Sequence, residues 1–196
     1  VISEKEQDIA RIAAQLEIIV DKDEFEIIQL PQWDINPYDR LSPSIRVQST
    51  ILSAVHRIVH SKQKKIIITS IGGLLCKFPA FEIISDYITL LKKSTEILID
   101  DLAKKLIEMG YQRSSTAADL GEFAIRGSIV DIIDNISGCG YRIDFFGNKA
   151  ESIRRFNPAD QLSNEHLDQI LIFPASLVIL NQATASNFQE QYKNLS

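Results

Sequence analysis

The chain has little of what many functional classes require. It holds two cysteines among 196 residues, Cys76 and Cys139. That is too few for a disulfide scaffold, and their spacing matches no zinc site, so a reducing, cytoplasmic setting is expected. No apolar run approaches the ~18 residues a membrane-spanning helix needs. Positive charge is in deficit: 21 Lys and Arg against 26 Asp and Glu give a formal net charge of −5. Strong unaided binding of nucleic acid is disfavoured, because phosphate affinity comes from clustered Lys and Arg, although a local basic patch remains compatible with this balance. The phosphate-cradling pattern G-x-x-x-x-G-K-[ST] is missing. The chain opens at Val1 with no signal peptide, which reads as a piece of a longer protein. What is present is a globular composition, 45% hydrophobic and 24% charged, which excludes a disordered tail or a low-complexity linker.

The first part reads as an α/β layer. Ser3 and Glu6 form a capping-box pattern ahead of Ile9, Ile12, Ala13 and Leu16, which recur at helical spacing. Phe25 to Leu30 suits a buried strand. Three prolines between Leu30 and Ser44 forbid regular structure there. Ser44 then caps a long helix that carries Ile51, Val55, Ile58 and Val59 and ends near Ser61, and Ile66-Ile67-Ile68-Thr69-Ser70 reads as a central parallel strand. Gly72-Gly73 break it, and a short helix is expected from Leu74 to Lys77.

After Ser85 the pattern changes to α+β. A strand is expected at Tyr87 to Leu91 and an amphipathic helix at Asp100 to Met109, stopped by Gly110. Three strand-like runs follow, Glu122 to Ile133, Tyr141 to Phe146 and Glu151 to Phe156, separated by glycines. The expected organisation is residues 1–85 plus the returning tail 174–196 as an α/β domain, with 86–173 inserted as an α+β domain built on an antiparallel sheet.

Catalytic candidates are weak. Asp23-Glu24-Phe25-Glu26 mimics a magnesium-holding acidic box, but has no phosphate cradle to serve, so it reads as a charged turn before a strand. Gly72-Gly73 reads as a tight turn rather than an anion site. His56 and His60 share a helix face, yet Arg57 stands where an H-E-x-x-H zinc motif needs Glu. They read as surface or half-buried histidines. Cys76 reads as core, and Ser70 lacks the G-x-S-x-G elbow. No enzyme, metal or cofactor is expected in this chain.

The strand faces carry more. By alternation, Phe123, Ile125, Ile143 and Phe145 suit a core, and Glu122, Ala124, Arg126, Arg142, Asp144 and Phe146 point outward. A bulge at Gly127 would shift the parity beyond it, so Asp131 is given no face. If the strands are neighbours, Arg126, Arg142 and Phe146 form one patch of the residue types that anchor protein interfaces. The alternative is a self-paired polar face, with Arg126 on Glu122 and Arg142 on Asp144.

Several motifs then resemble one family. Leu30-Pro31-Gln32-Trp33-Asp34, Pro37-Tyr38-Asp39, Ser42-Pro43, Gly110-Tyr111, Gly121 to Gly127, Tyr141 to Gly147 and Glu151-Ser152-Ile153-Arg154 are similar, in order and spacing, to the amino-terminal UvrB-like module of bacterial transcription-repair coupling factors. The resemblance implies a degenerate helicase-like ATPase domain without nucleotide chemistry, followed by a docking domain for the damage-sensing ATPase UvrA. It carries the UvrA-contacting role to Arg126, Arg142 and Phe146. It implies RNA polymerase and double-stranded DNA as partners of the full-length protein through regions absent here, and no membrane. A fragment of the excinuclease subunit UvrB is the competing reading. It is opposed by the missing Walker loop, by Ala124 where UvrB-like chains carry Arg, and by Tyr38 standing alone where they carry a Tyr-rich hairpin. The chain departs from the coupling factors at Gly147-Asn148-Lys149-Ala150, which lacks two acids, and at Asn157.

Overall fold

The computed structural model describes residues 1–36, 40–78, 84–178 and 186. Two compact units divide the chain, Val1–Glu82 and Ile83–Ser196.

In the first unit the elements are β1 (Ile2–Ser3), α1 (Asp8–Ile19), β2 (Phe25–Leu30), α2 (Ile45–His60), β3 (Lys64–Ser70) and α3 (Ile71–Leu75). The three strands form a parallel sheet in the order β1-β3-β2. The isoleucine run of β3 takes the centre, and Ile68 is fully buried against Ile9 and Ala13 of α1. The Ser44 hydroxyl accepts the Val47 amide at 3.3 Å, the expected cap of α2. Three local readings change. Ser3 does not cap a helix: it pairs with Ser70 in β1, and α1 starts at Asp8 with no side-chain cap. The Glu6 carboxylate instead accepts the Gln32 amide at 3.3 Å. The helix after β3 begins at once, at Ile71, because the Ser70 hydroxyl accepts the Gly73 amide at 3.0 Å. Cys76 follows its last residue and is half-buried rather than core. Pro37-Tyr38-Asp39 lie outside the described residues.

In the second unit the elements are β4 (Thr89–Lys92), α4 (Ile99–Glu108), β5 (Gln112–Arg113), β6 (Glu122–Arg126), β7 (Ile129–Ile133), β8 (Gly140–Phe146), β9 (Lys149–Phe156), β10 (Ser163–Leu167) and β11 (Gln169–Ile172). A six-stranded sheet runs β10-β9-β8-β7-β6-β5, antiparallel except for β5–β6. β4 and β11 form a separate antiparallel ribbon. One sheet face carries Phe123, Val130, Ile132, Ile143 and Ile153 into a core shared with Leu102 and Leu106 of α4. The run from Glu122 to Ile133 is two strands, not one. Gly127, at φ +62°, and Ser128 turn it into a hairpin that pairs Arg126 with Ile129. Register shifts lie elsewhere, in β9, where pairing passes from Asp144–Ser152 to Phe145–Ala150, and in β10 between Ser163 and Glu165. β10 and β11 were not anticipated; β10 is polar and exposed, with no apolar alternation to mark it.

Phe173 and Pro174 are held on the second unit. Tyr111 Oη donates to the Phe173 carbonyl and Asn135 Nδ2 to the Pro174 carbonyl, each at 2.9 Å. Most of the tail expected to return to the first domain, 179–185 and 187–196, lies outside the described residues. Among the described residues no helix is long and apolar enough to cross a membrane.

Candidate functional site

The outward face of the six-stranded sheet follows from the hairpin. Once Arg126 opposes Ile129, the ladder sets Ala124 opposite Asp131, and Asp131 opposite Arg142 on β8. Arg142 in turn opposes Arg154 on β9. Period-two alternation therefore puts Arg126, Asp131, Arg142, Asp144 and Arg154 on one face.

Asp131 is the centre of that face. Its side chain is 1% exposed. Arg142 grips it side-on, Nε to Oδ1 at 2.7 Å and Nη2 to Oδ2 at 3.0 Å. Arg126 Nη2 also donates to Oδ2. A buried carboxylate is tolerable only when its lone pairs are satisfied, and two guanidinium groups do that here. The Asp131 hydrogen bond holds the Arg142 pKa above its ordinary value. Arg142 is further fixed by the Gln161 carbonyl at 3.2 Å and by the Phe156 ring, 4.7 Å from its guanidinium carbon.

The two arginines differ in exposure. The Arg142 side chain is 15% exposed and that of Arg126 is 46% exposed. Among the described residues Arg126 bonds to Asp131 alone, which leaves the rest of its donors for other partners. Phe146 ends β8, two residues beyond Asp144, and is 79% exposed. The structure thus brings Arg126 and Arg142 together on one acid and leaves Phe146 as a bare aromatic ring at the strand end. It does not form the self-pairing that spacing suggested. Glu122 accepts the amides of Ala118 and Asp119 at 3.0 and 3.1 Å, and Asp144 pairs with Arg154 at 2.7 Å. Ala124, expected outward, is buried on this face with Ala117, Ile133 and Phe156. Sequence reasoning missed Asp131, Phe156 and Gln161 as supports. A two-residue turn at Gly127-Ser128 was the signal that would have placed Asp131.

The weaker candidates are occupied structurally. Glu24 pairs with Lys64 at 2.5 Å and Glu26 with Arg57 at 2.6 Å. A Cβ at Gly72 would collide with the Gln32 side chain and one at Gly73 with that of Thr69, the close approach of a tight turn. The His56 and His60 rings lie 4.6 Å apart, half-buried and exposed. Among the described residues no cluster of three His, Cys, Asp or Glu is placed to hold a metal.

Residues 90–177, which hold the mixed sheet and α4, match the family described as the UvrB interaction domain. Over most of its length the chain is also related to transcription-repair-coupling factors. It is 34% identical to that of Rickettsia bellii over 166 residues, 85% of this chain and 15% of the relative. It is 30% identical to that of Staphylococcus haemolyticus over 171 residues, 87% of this chain and 14% of the relative. It is 26% identical to that of Escherichia coli over 168 residues, 86% of this chain and 14% of the relative. The chain therefore spans about one seventh of the length of these curated relatives.

Proposed function

We propose that the chain is the non-catalytic adaptor region of a cytoplasmic transcription-repair coupling factor, which recruits UvrA in nucleotide excision repair. The observation that carries this reading is the outer sheet face, where Arg126 and Arg142 converge on Asp131 within a stretch matched by the UvrB interaction domain. Arg126 supplies outward guanidinium donors for acids on UvrA, and Phe146 supplies the apolar anchor. On this reading the first unit is the degenerate helicase-like layer, retained without nucleotide chemistry. RNA polymerase and double-stranded DNA are engaged by other regions of such a protein.

Calorimetry with purified UvrA tests the reading. The wild-type chain binds saturably. Truncating an anchor costs about 2 kcal/mol, so Arg126→Ala weakens binding roughly thirtyfold at 1.4 kcal/mol per decade. Phe146→Ala brings a similar loss. Unchanged binding by Arg126→Ala, Arg142→Ala and Phe146→Ala would remove the patch. In parallel, labelled ATP at micromolar concentration gives no titration; saturable uptake would overturn the non-catalytic reading.

A further inference from the structure

We infer that Asp131 is the positioning residue of the docking face: it fixes the two arginines for an acidic partner without touching that partner. The inference rests on the docking reading above.

Asp131 is out of reach of any partner, with a side chain 1% exposed. Both guanidinium groups nevertheless meet on its Oδ2. Two cations brought to one point repel each other, and the carboxylate between them converts that repulsion into attraction. It also selects conformers. A free arginine samples many rotamers and loses up to ~2 kcal/mol of entropy when fixed, so an arginine already held pays less on docking. The burial gradient gives direction to the device: Asp131 lies at the bottom, Arg142 above it on the Phe156 ring, and Arg126 most exposed. The structure assigns Arg142 a share in this support, because Nε and Nη2 are spent on Asp131 and Nη1 on Gln161.

The fitting partner presents carboxylates to the outward donors of Arg126. Asp131→Asn keeps the shape and removes the charge. It should weaken UvrA binding by about tenfold, the size of coupling usual for groups in one hydrogen-bonded network. The decisive measurement is a double-mutant cycle. If Asp131 acts through the arginines, Asp131→Asn weakens UvrA binding less in the Arg126→Ala protein than in the wild type. If Asp131 only holds the sheet together, its effect adds in full, which would overturn the inference and leave the docking reading standing. So would tight binding by Asp131→Asn itself. Failure of the wild type to bind UvrA would remove the docking reading and this role with it. Should Asp131→Asn fold poorly, the wild-type protein supplies the test by NMR. The Arg142 Nε–H, bonded to Asp131, should exchange with water at least tenfold more slowly than that of exposed Arg11, and equal rates would overturn the inference.

Discussion

Each unit sets an arginine against a carboxylate, and the two settings differ in what surrounds the pair. In the first unit Arg57 meets Glu26 with side chains 41% and 18% exposed, one cation to one anion. In the second unit Asp131 is shut away and serves two cations. Arg57 and, in part, Glu26 stay open to water, whereas Asp131 is almost fully shut off from it. The comparison teaches that the weight of an ion pair lies in what is stranded when one member leaves. Buried pairs are strongly dependent on both partners, while exposed pairs are nearly dispensable.

The sharpest way to break this comparison is Arg142→Ala. Removing one partner of a buried pair typically costs 3–5 kcal/mol, and Arg126 still reaches Asp131, so a loss of about 3 kcal/mol is expected in the second unit. Arg57→Ala should cost about 1 kcal/mol in the first unit. Followed by circular dichroism, urea unfolding of Arg142→Ala should show a larger fall in midpoint than that of Arg57→Ala. Equal shifts by the two variants would abolish the distinction.

A smaller effect sharpens it from the other side. Phe146 lies on the same face as Arg142 but is 79% exposed, so Phe146→Ala should alter stability by less than about 0.5 kcal/mol. Arg142→Ala therefore confounds stability with docking, and Phe146→Ala reports docking alone. A large drop in urea midpoint for Phe146→Ala would mean that the ring is covered in solution.

How much of this was legible follows the range of the interactions involved. The Ser44 cap and the isoleucine strand are local patterns, and each stands where the residues put it. Ser3 misled because its strand partner, Ser70, is distant in sequence, and no local rule weighs a capping box against a sheet edge. The outward direction of Arg126, Arg142 and Phe146 was readable from alternation alone. Their relation to Asp131 was not, because it depends on register, and register depends on reading Gly127-Ser128 as a hairpin turn rather than a bulge. Gln161 was invisible for the same reason: it reaches Arg142 from a loop, with a left-handed φ of +62°.

The smallest expected effect concerns two acids of the second unit that face opposite surroundings. Glu122 is held below its ordinary value of 4.5, first by the Ala118 amide and then by that of Asp119. A depressed folded pKa contributes stability above the unfolded value, and that contribution is lost as the pH falls through the folded one. Asp134 is pushed above 3.8 by burial, against the opposing hydrogen bonds from Ser137. Its contribution has the other sign: it is present in full below 3.8 and lost as the pH rises through the folded value. Urea midpoints at pH 7 and pH 3 separate the two. Glu122→Gln should lie below the wild type at pH 7, and the gap should be smaller at pH 3, where the advantage of the depressed carboxyl is being lost. In Asp134→Asn the wild type's gain on acidification should be missing. If both variants track the wild type in parallel at the two pH values, the amides around Glu122 and the burial of Asp134 do not act on ionisation.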